Sequence, residues 1–260
     1  MLFKRVFGAL ILILLLVVLG AIIIARQLGV SGTAPVASLS PAASETPSSA
    51  QPSSTSTPTP SADPYADRPD IDLSSWEYTL VNKDNLLGAD YVPEMSTVTD
   101  GQYFDSRAAD ALKDFIDAAK AEGLTVYITS SYRSYETQEY LFNKKVNEYL
   151  YSSGSQEAAV EKAKTIVAYP GTSEHQLGLA CDIVDKYYEY MDESIENTPL
   201  AMWMAVHCAE YGFILRYPED KTDITGVMYE PWHFRYVGVQ AAEYIMRKGL
   251  ALEEFIALYI

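Results

Sequence analysis

Residues 229–238 read YEPWHFRYVG, and this stretch decides the fold. Pro231 argues against a helix interior, because it lacks an amide hydrogen and its ring clashes with the preceding turn. Beyond it the pattern has a period of two. Trp232, Phe234 and Tyr236 fall on one face and His233 and Arg235 on the other, which is the signature of a half-buried strand over His233 to Val237. A tight turn therefore leads into a strand, and Glu230 and His233 can face one cavity. Just upstream, Thr198-Pro199 opens a helix with proline in its first turn, Gly212 closes it, and Phe213 to Arg216 forms a short strand. Downstream, 239–248 and 251–259 have helical patterns. Further back, Asp105 or Ser106 caps a helix ending at Gly123, with Ala108, Leu112, Phe115, Ile116 and Ala119 at helical spacing. LTVYIT (124–129) reads as a buried strand, Ser134 caps a helix through about Leu150, and Gln156 to Val167 is a third helix. Strands and helices do not alternate regularly and several links are long. The expected class is α+β, a small antiparallel sheet flanked by helices, rather than a doubly wound sheet.

The 260-residue chain has three unlike segments. Val6 to Ala25 is an uncharged run, VFGALILILLLVVLGAIIIA; at ~1.5 Å rise per residue its 20 residues span ~30 Å, the thickness of a hydrocarbon core. Lys4 and Arg5 precede it and Arg26 follows, which puts residues 1–5 in the cytosol and the rest outside. The competing reading is a cleaved signal peptide, with small residues at Gly32-Thr33-Ala34. Its apolar region is normally shorter, ~7–15 residues. Residues 26–70 are almost all Ser, Thr, Pro and Ala over their central part, with too little apolar surface to offset ordering entropy, and read as a disordered linker. Residues 71–260 have ordinary globular composition and no internal repeat.

Composition narrows the function. Two cysteines, Cys181 and Cys208, exclude a disulfide-dense scaffold and a multi-cysteine zinc finger. The net charge of −16 argues against nucleic acid as a partner. No nucleophile elbow, phosphate loop or dinucleotide fingerprint occurs.

Two of the three histidines sit in suggestive surroundings. In PGTSEHQLGLACDI (170–183), His175 ends a Gly/Ser turn and Asp182 follows seven residues later, so a turn entering a strand can bring imidazole and carboxylate together. In 229–238, Glu230 and His233 are three apart. Two histidines and an aspartate suit Zn²⁺, and three protein ligands leave a fourth position open, the catalytic arrangement. Glu230 is then available as a carboxylate that takes a proton from water. The competing reading is of histidines packed among aromatic residues. Arg133, in SSYRSYETQ, follows the 124–129 strand, where a guanidinium can stabilise an oxyanion or a carboxylate; it also reads as an ordinary surface arginine. His207 lies mid-helix and reads as structural.

SSYRSYETQ, PGTSEHQLGLACDI and YGFILRYP followed by EPWHFRYVG, in that order, resemble the VanY-type zinc D-alanyl-D-alanine carboxypeptidases, a family that includes D,D- and L,D-carboxypeptidases. The resemblance runs from about residue 75 to 248. It implies the zinc D-Ala-D-Ala carboxypeptidase, or hedgehog-like, fold. It implies zinc on His175, Asp182 and His233, Glu230 as catalytic base and Arg133 steadying the oxyanion. Gln138, Ser173 and Tyr217 match positions near substrate. The implied reaction is release of the terminal D-alanine from a peptidoglycan stem peptide by a membrane-anchored, extracytoplasmic domain. Three alternatives remain: an L,D-carboxypeptidase on tetrapeptide stems, an endopeptidase, and a non-catalytic, zinc-stabilised wall-binding domain. One departure is Cys181, where an aliphatic residue is expected; beside Asp182 on a strand it should point away from the metal. Cys181 and Cys208 are either a disulfide, which an extracytoplasmic domain permits, or buried thiols.

Overall fold

The computed structural model describes residues 63–188 and 190–260. The expected anchor (6–25) and the linker up to residue 62 lie outside the described residues. Among the described residues no helix is long and apolar enough to cross a membrane. Residues 63–70, assigned to the linker by composition, are held against the C-terminal segment. Lys248 Nζ donates to Pro64 O (3.0 Å), Asp67 pairs with Arg247 and Lys248, and Tyr259 Oη donates to Pro69 O (2.6 Å).

An antiparallel hairpin comes first, β1 (Met95–Thr99) and β2 (Gln102–Asp105), turning at Gly101 with φ 74°. The sequence reading missed it. Helix α1 (Ala109–Ala121) follows and buries Leu112, Phe115, Ile116 and Ala119 as the spacing requires. Its start corrects the expected cap. Asp105 ends β2, its carboxylate accepts hydrogen bonds from Arg107, and its amide donates to Gly178 O (2.9 Å), so the helix begins after Ala108 without a side-chain cap.

The central sheet has order β3-β4-β6-β5, from β3 (Tyr127–Ser130), β4 (Ala180–Val184), β5 (Phe213–Leu215) and β6 (His233–Tyr236), with every pair antiparallel. β3 starts three residues later than expected. Helices α2 (Tyr135–Ser153) and α3 (Gln156–Lys164) pack on one another, capped by the hydroxyls of Ser134 and Ser155. α4 (Pro199–His207) starts at the expected proline and tightens into a 3-10 turn that ends at left-handed Gly212. A single turn, α5 (Thr222–Thr225), and helices α6 (Val239–Lys248) and α7 (Leu252–Ala257) complete the fold.

The sheet separates packing from chemistry. On one face Cys181, Ile183, Phe213 and Phe234 join α1 and α4 in the main core. Phe115 lies at its centre, with ring centroids 5.3–6.0 Å from Trp203, Tyr211, Phe213 and Phe234. Burying each such side chain contributes about 1.5–3 kcal/mol, and aromatic pairing adds to it. Tyr236 packs against this core as the alternation predicts. Trp232 precedes the strand instead, and packs with Val184 and Ile195. Cys181 and Cys208 are both free, buried thiols in the main core. Cys181 thus points away from the Asp182 side of β4. A second core under α6 and α7 gathers Ile214, Val237, Tyr244, Ile245 and Phe255.

Candidate metal centre

The strand register creates the site. Asp182 on β4 stands directly opposite His233 on β6, so both side chains project from the same face. His233 Nδ1 lies 3.0 Å from Asp182 Oδ1. His175 arrives from a 3-10 turn, Glu174–Leu177, that closes at Gly178 in the left-handed region (φ 71°), and its Nε2 lies 3.3 Å from Asp182 Oδ2. The two imidazoles are 5.0 Å apart and nearly perpendicular. One ligand atom from each of His175, Asp182 and His233 falls within 4.8 Å of the other two, and all three residues are buried.

The donor set fits zinc. His175 Nδ1 is 2.7 Å from Ser131 O, a contact that requires a proton on Nδ1 and leaves the Nε2 lone pair for the cluster. Asp182 is buried, yet the two histidines beside it hold its carboxyl far below the usual range. Burial pushes His175 down to about 4, so it is neutral at pH 7, the form that ligates a metal. Burial disfavours charge on His233 as well, but the hydrogen bond to Asp182 and the nearby Glu174 carboxylate push it up to about 9.

Around the cluster stand the other expected residues. The turn 230–233, closed by His233 N–H to Glu230 O, places Glu230 Oε2 3.6 Å from His233 Nδ1, with the carboxylate at the edge of the cleft. Burial raises its carboxyl to about 7, against the pull of His233. Arg133 follows β3 as expected. Its amide donates to His175 O, Nη1 donates to Ser130 Oγ (3.0 Å) and lies 4.0 Å from Asp182 Oδ2, and Nη2 donates to Ser173 Oγ (3.4 Å). Tyr217 is buried with its ring 4.8 Å from that of His233, and its backbone carbonyl accepts from Glu230 N–H. Gln138 is not at the cleft surface. It is buried, and its Nε2 donates to Ala168 O (2.7 Å), backing the wall around residues 165–169. His207 stacks on Trp203 and pairs with Glu210, a structural role.

A cleft of about 1120 Å³ opens over His175, Asp182, Glu230, His233 and Arg133, with Lys144 and Lys164 on one flank and Asp192 and Glu193 also at its border. Behind the cluster is a buried ionic group that sequence reasoning missed. Glu174 Oε1 accepts from Arg216 Nε (2.8 Å) and Arg235 Nη1 (2.9 Å), and Arg216 reaches on to Glu253 of α7 with both terminal nitrogens (2.9 and 2.7 Å). Burial opposes charge on Glu174, but the two arginines hold its carboxyl well below the usual range. One signal was legible: Arg235 alternates in phase with His233, so it had to share the site face.

Comparison with known proteins agrees with this geometry. A sequence model of the VanY family, described as D-alanyl-D-alanine carboxypeptidase, matches residues 101–239. A D-alanyl-D-alanine carboxypeptidase of Enterococcus faecalis is 42% identical over 186 residues, covering 71% of this chain and 67% of that protein. The solved structure of a mutant of the vancomycin resistance D,D-pentapeptidase VanY from a VanB-type cassette, in complex with Zn(II), superposes with a TM-score of 0.62 at 41% identity, covering 70% of this chain and 99% of that one. The LD-carboxypeptidase LdcB superposes at 0.60 and 40% identity, covering 68% and 84%. With more than half its length matched by the family model, and with the His-Asp-His cluster in place, the chain belongs to the VanY family of zinc D-alanyl-D-alanine carboxypeptidases, which are hydrolases.

Proposed function

We propose that this domain removes the terminal D-alanine from peptidoglycan stem peptides, outside the cell, at the end of the anchor and linker read from residues 1–62. The observation that carries the reaction is Glu230: a carboxylate outside the ligand triad, 3.6 Å from His233 Nδ1 and raised to about 7, at the range where a group both accepts and returns a proton near neutrality. Zinc, when bound to His175, Asp182 and His233, supplies Lewis acidity toward the scissile carbonyl. Glu230 takes the proton of the attacking water and passes it to the leaving amine of D-alanine. Arg133, fixed by Ser130 and Ser173, presents its guanidinium to the oxygen on which negative charge develops. Ser173 acts through Arg133, Tyr217 closes the cleft beside His233, and Gln138 holds the wall at Ala168. The apolar run 6–25 and the Ser/Thr/Pro-rich stretch support a single-pass membrane location with residues 1–5 in the cytosol.

An L,D-carboxypeptidase acting on tetrapeptide stems uses the same metal chemistry, and the likeness to LdcB keeps that reading in play. Zinc-loaded full-length protein in detergent, given a pentapeptide ending D-Ala-D-Ala and a tetrapeptide ending in one D-Ala, separates them by mass spectrometry of the released D-alanine. Loss from the pentapeptide is expected, and loss from the tetrapeptide alone assigns the L,D reaction. Glu230→Gln should retain zinc and lose about 10²–10⁴ in turnover. Near-normal turnover in that variant would sink the base assignment.

A further inference from the structure

Two buried polar atoms face each other behind the metal cluster. His233 Nε2 and Glu174 Oε2 are both buried, both lack a hydrogen-bond partner among the described residues, and lie 3.6 Å apart, just beyond hydrogen-bond length. Buried polar groups left unpaired are costly, so two such atoms side by side call for an explanation. The other nitrogen of His233, Nδ1, is the one that faces Asp182 and Glu230. Glu174 has no freedom to turn away. Its Oε1 is held by Arg216 and Arg235, and those arginines are committed elsewhere as well, Arg216 to Glu253 and Arg235 to the carbonyls of Glu77 and Thr79.

We propose that Glu174 is a positioning residue for the metal: it accepts the Nε2–H of His233 and so fixes the tautomer whose Nδ1 lone pair faces the cluster. A neutral imidazole carries one N–H, and the partner of that N–H decides which nitrogen is left to ligate. Asp182, 3.0 Å from Nδ1, competes for the proton on the wrong nitrogen. A carboxylate pinned on the far side draws it to Nε2. His175 has the mirror arrangement, with Nδ1–H given to Ser131 O and Nε2 offered to the cluster, so the two histidines use opposite nitrogens, each set from behind by an oxygen acceptor. Arg216 also links that carboxylate to Glu253 of α7, while Arg235, anchored on the carbonyls of Glu77 and Thr79, holds it independently of α7.

The inference rests on the zinc reading of the site, and its test separates the two. In Glu174→Gln the amide oxygen can keep both arginines while the amide nitrogen, a donor, faces His233 Nε2 and favours the wrong tautomer. Zinc-stripped full-length protein in detergent is titrated with zinc against a chromophoric chelator. The expected result is zinc binding weaker by about 10–100-fold in Glu174→Gln. Glu253→Gln, which disturbs Arg216 but leaves Arg235 on Glu174 and does not face His233, should lower thermal stability and hold zinc within about threefold of the parent. Equal zinc affinity in folded Glu174→Gln, or equal losses in the two variants, would overturn the positioning role. A parent that binds no zinc would overturn the metal reading and this inference with it. Where Glu174→Gln does not fold, 15N-histidine spectra of the zinc-loaded parent decide: a metal-bound Nδ1 and a slowly exchanging Nε2 proton on His233 are expected, and zinc on Nε2 refutes the proposal.

Discussion

Gly178 connects the two halves of the ligand set, three residues after His175 and four before Asp182, and Gly178→Ala should damage both stability and zinc binding. Its φ of 71° is a left-handed conformation that costs an L-residue about 1–2 kcal/mol. A Cβ there would also lie 3.1 Å from the Asp105 amide nitrogen, 3.3 Å from Pro93 Cγ and 3.4 Å from Met95 Sδ. The nitrogen cannot retreat freely, because it donates to Gly178 O itself at 2.9 Å. Crowding of this kind costs about 1–3 kcal/mol, for a sum of about 2–5 kcal/mol. Gly101, in the β1–β2 turn, separates the two causes. It has φ 74° and nothing among the described residues within 4 Å of the added Cβ, so Gly101→Ala should lose only the backbone share of about 1–2 kcal/mol. In a domain of this size each kcal/mol moves Tm by about 2–4 °C, so the crowding share of about 1–3 kcal/mol should place Gly178→Ala roughly 2–12 °C below Gly101→Ala in thermal unfolding. Zinc titration should find weaker binding in Gly178→Ala alone, since relief of the crowding shifts the His175 turn relative to β4. Equal Tm values in the two variants, or unchanged zinc affinity in Gly178→Ala, would refute the reasoning.

Two further outcomes follow from the site. Arg133→Lys should keep zinc and lose about 10²–10³ in kcat, because an ammonium cannot hold Ser130 and Ser173 together while facing the substrate; steady-state kinetics with zinc analysis of the purified variant checks this. For pH, Glu230 acts as base only when ionised, and its carboxyl is raised to about 7, so kcat/KM should rise with pH along an acid limb that zinc's positive charge draws below 7. A profile that falls with rising pH across 5–7 would contradict Glu230 as the base.

Much of the fold was legible because local chemistry and tertiary environment agree. Ser134 and Thr198-Pro199 start their helices where hydroxyl caps and a first-turn proline predict, and the apolar stripe of α1 is buried residue for residue. The failures have physical causes. Asp105 looked like a helix cap, but its carboxylate is taken by Arg107 two residues on, and its amide donates to Gly178 O, a long-range demand that no local pattern reports. The β1–β2 hairpin lacks a clean alternation, since its strands are short and half exposed. The His175–Asp182–His233 cluster was legible through motif resemblance. Spacing alone could not have joined His175 to His233, because Asp182 meets His233 through the register of β4 against β6 and His175 arrives from the turn before β4. Glu174 was passed over because a carboxylate beside a histidine gives no sign that Arg235 of β6 and Arg216, just after β5, will close around it.

The same alternation that revealed β6 explains why the site holds its geometry. Phe234 points into the aromatic core around Phe115, while His233 and Arg235 point the other way, to Asp182 and Glu174. The apolar face therefore sets the register of the polar one. A slip of one residue between β4 and β6 would turn His233 and Arg235 into a core of phenylalanines and bring Phe234 to the metal side, burying a charge without partners. The arginine network adds a second lock on the polar face, because Arg235 must meet Glu174 and the carbonyls of Glu77 and Thr79 at once. A buried ionic group of this kind is weak evidence for stability, since its desolvation offsets most of its attraction. Its value here is geometric: the core fixes which residues face the cleft, and the network fixes where Glu174 stands behind His233.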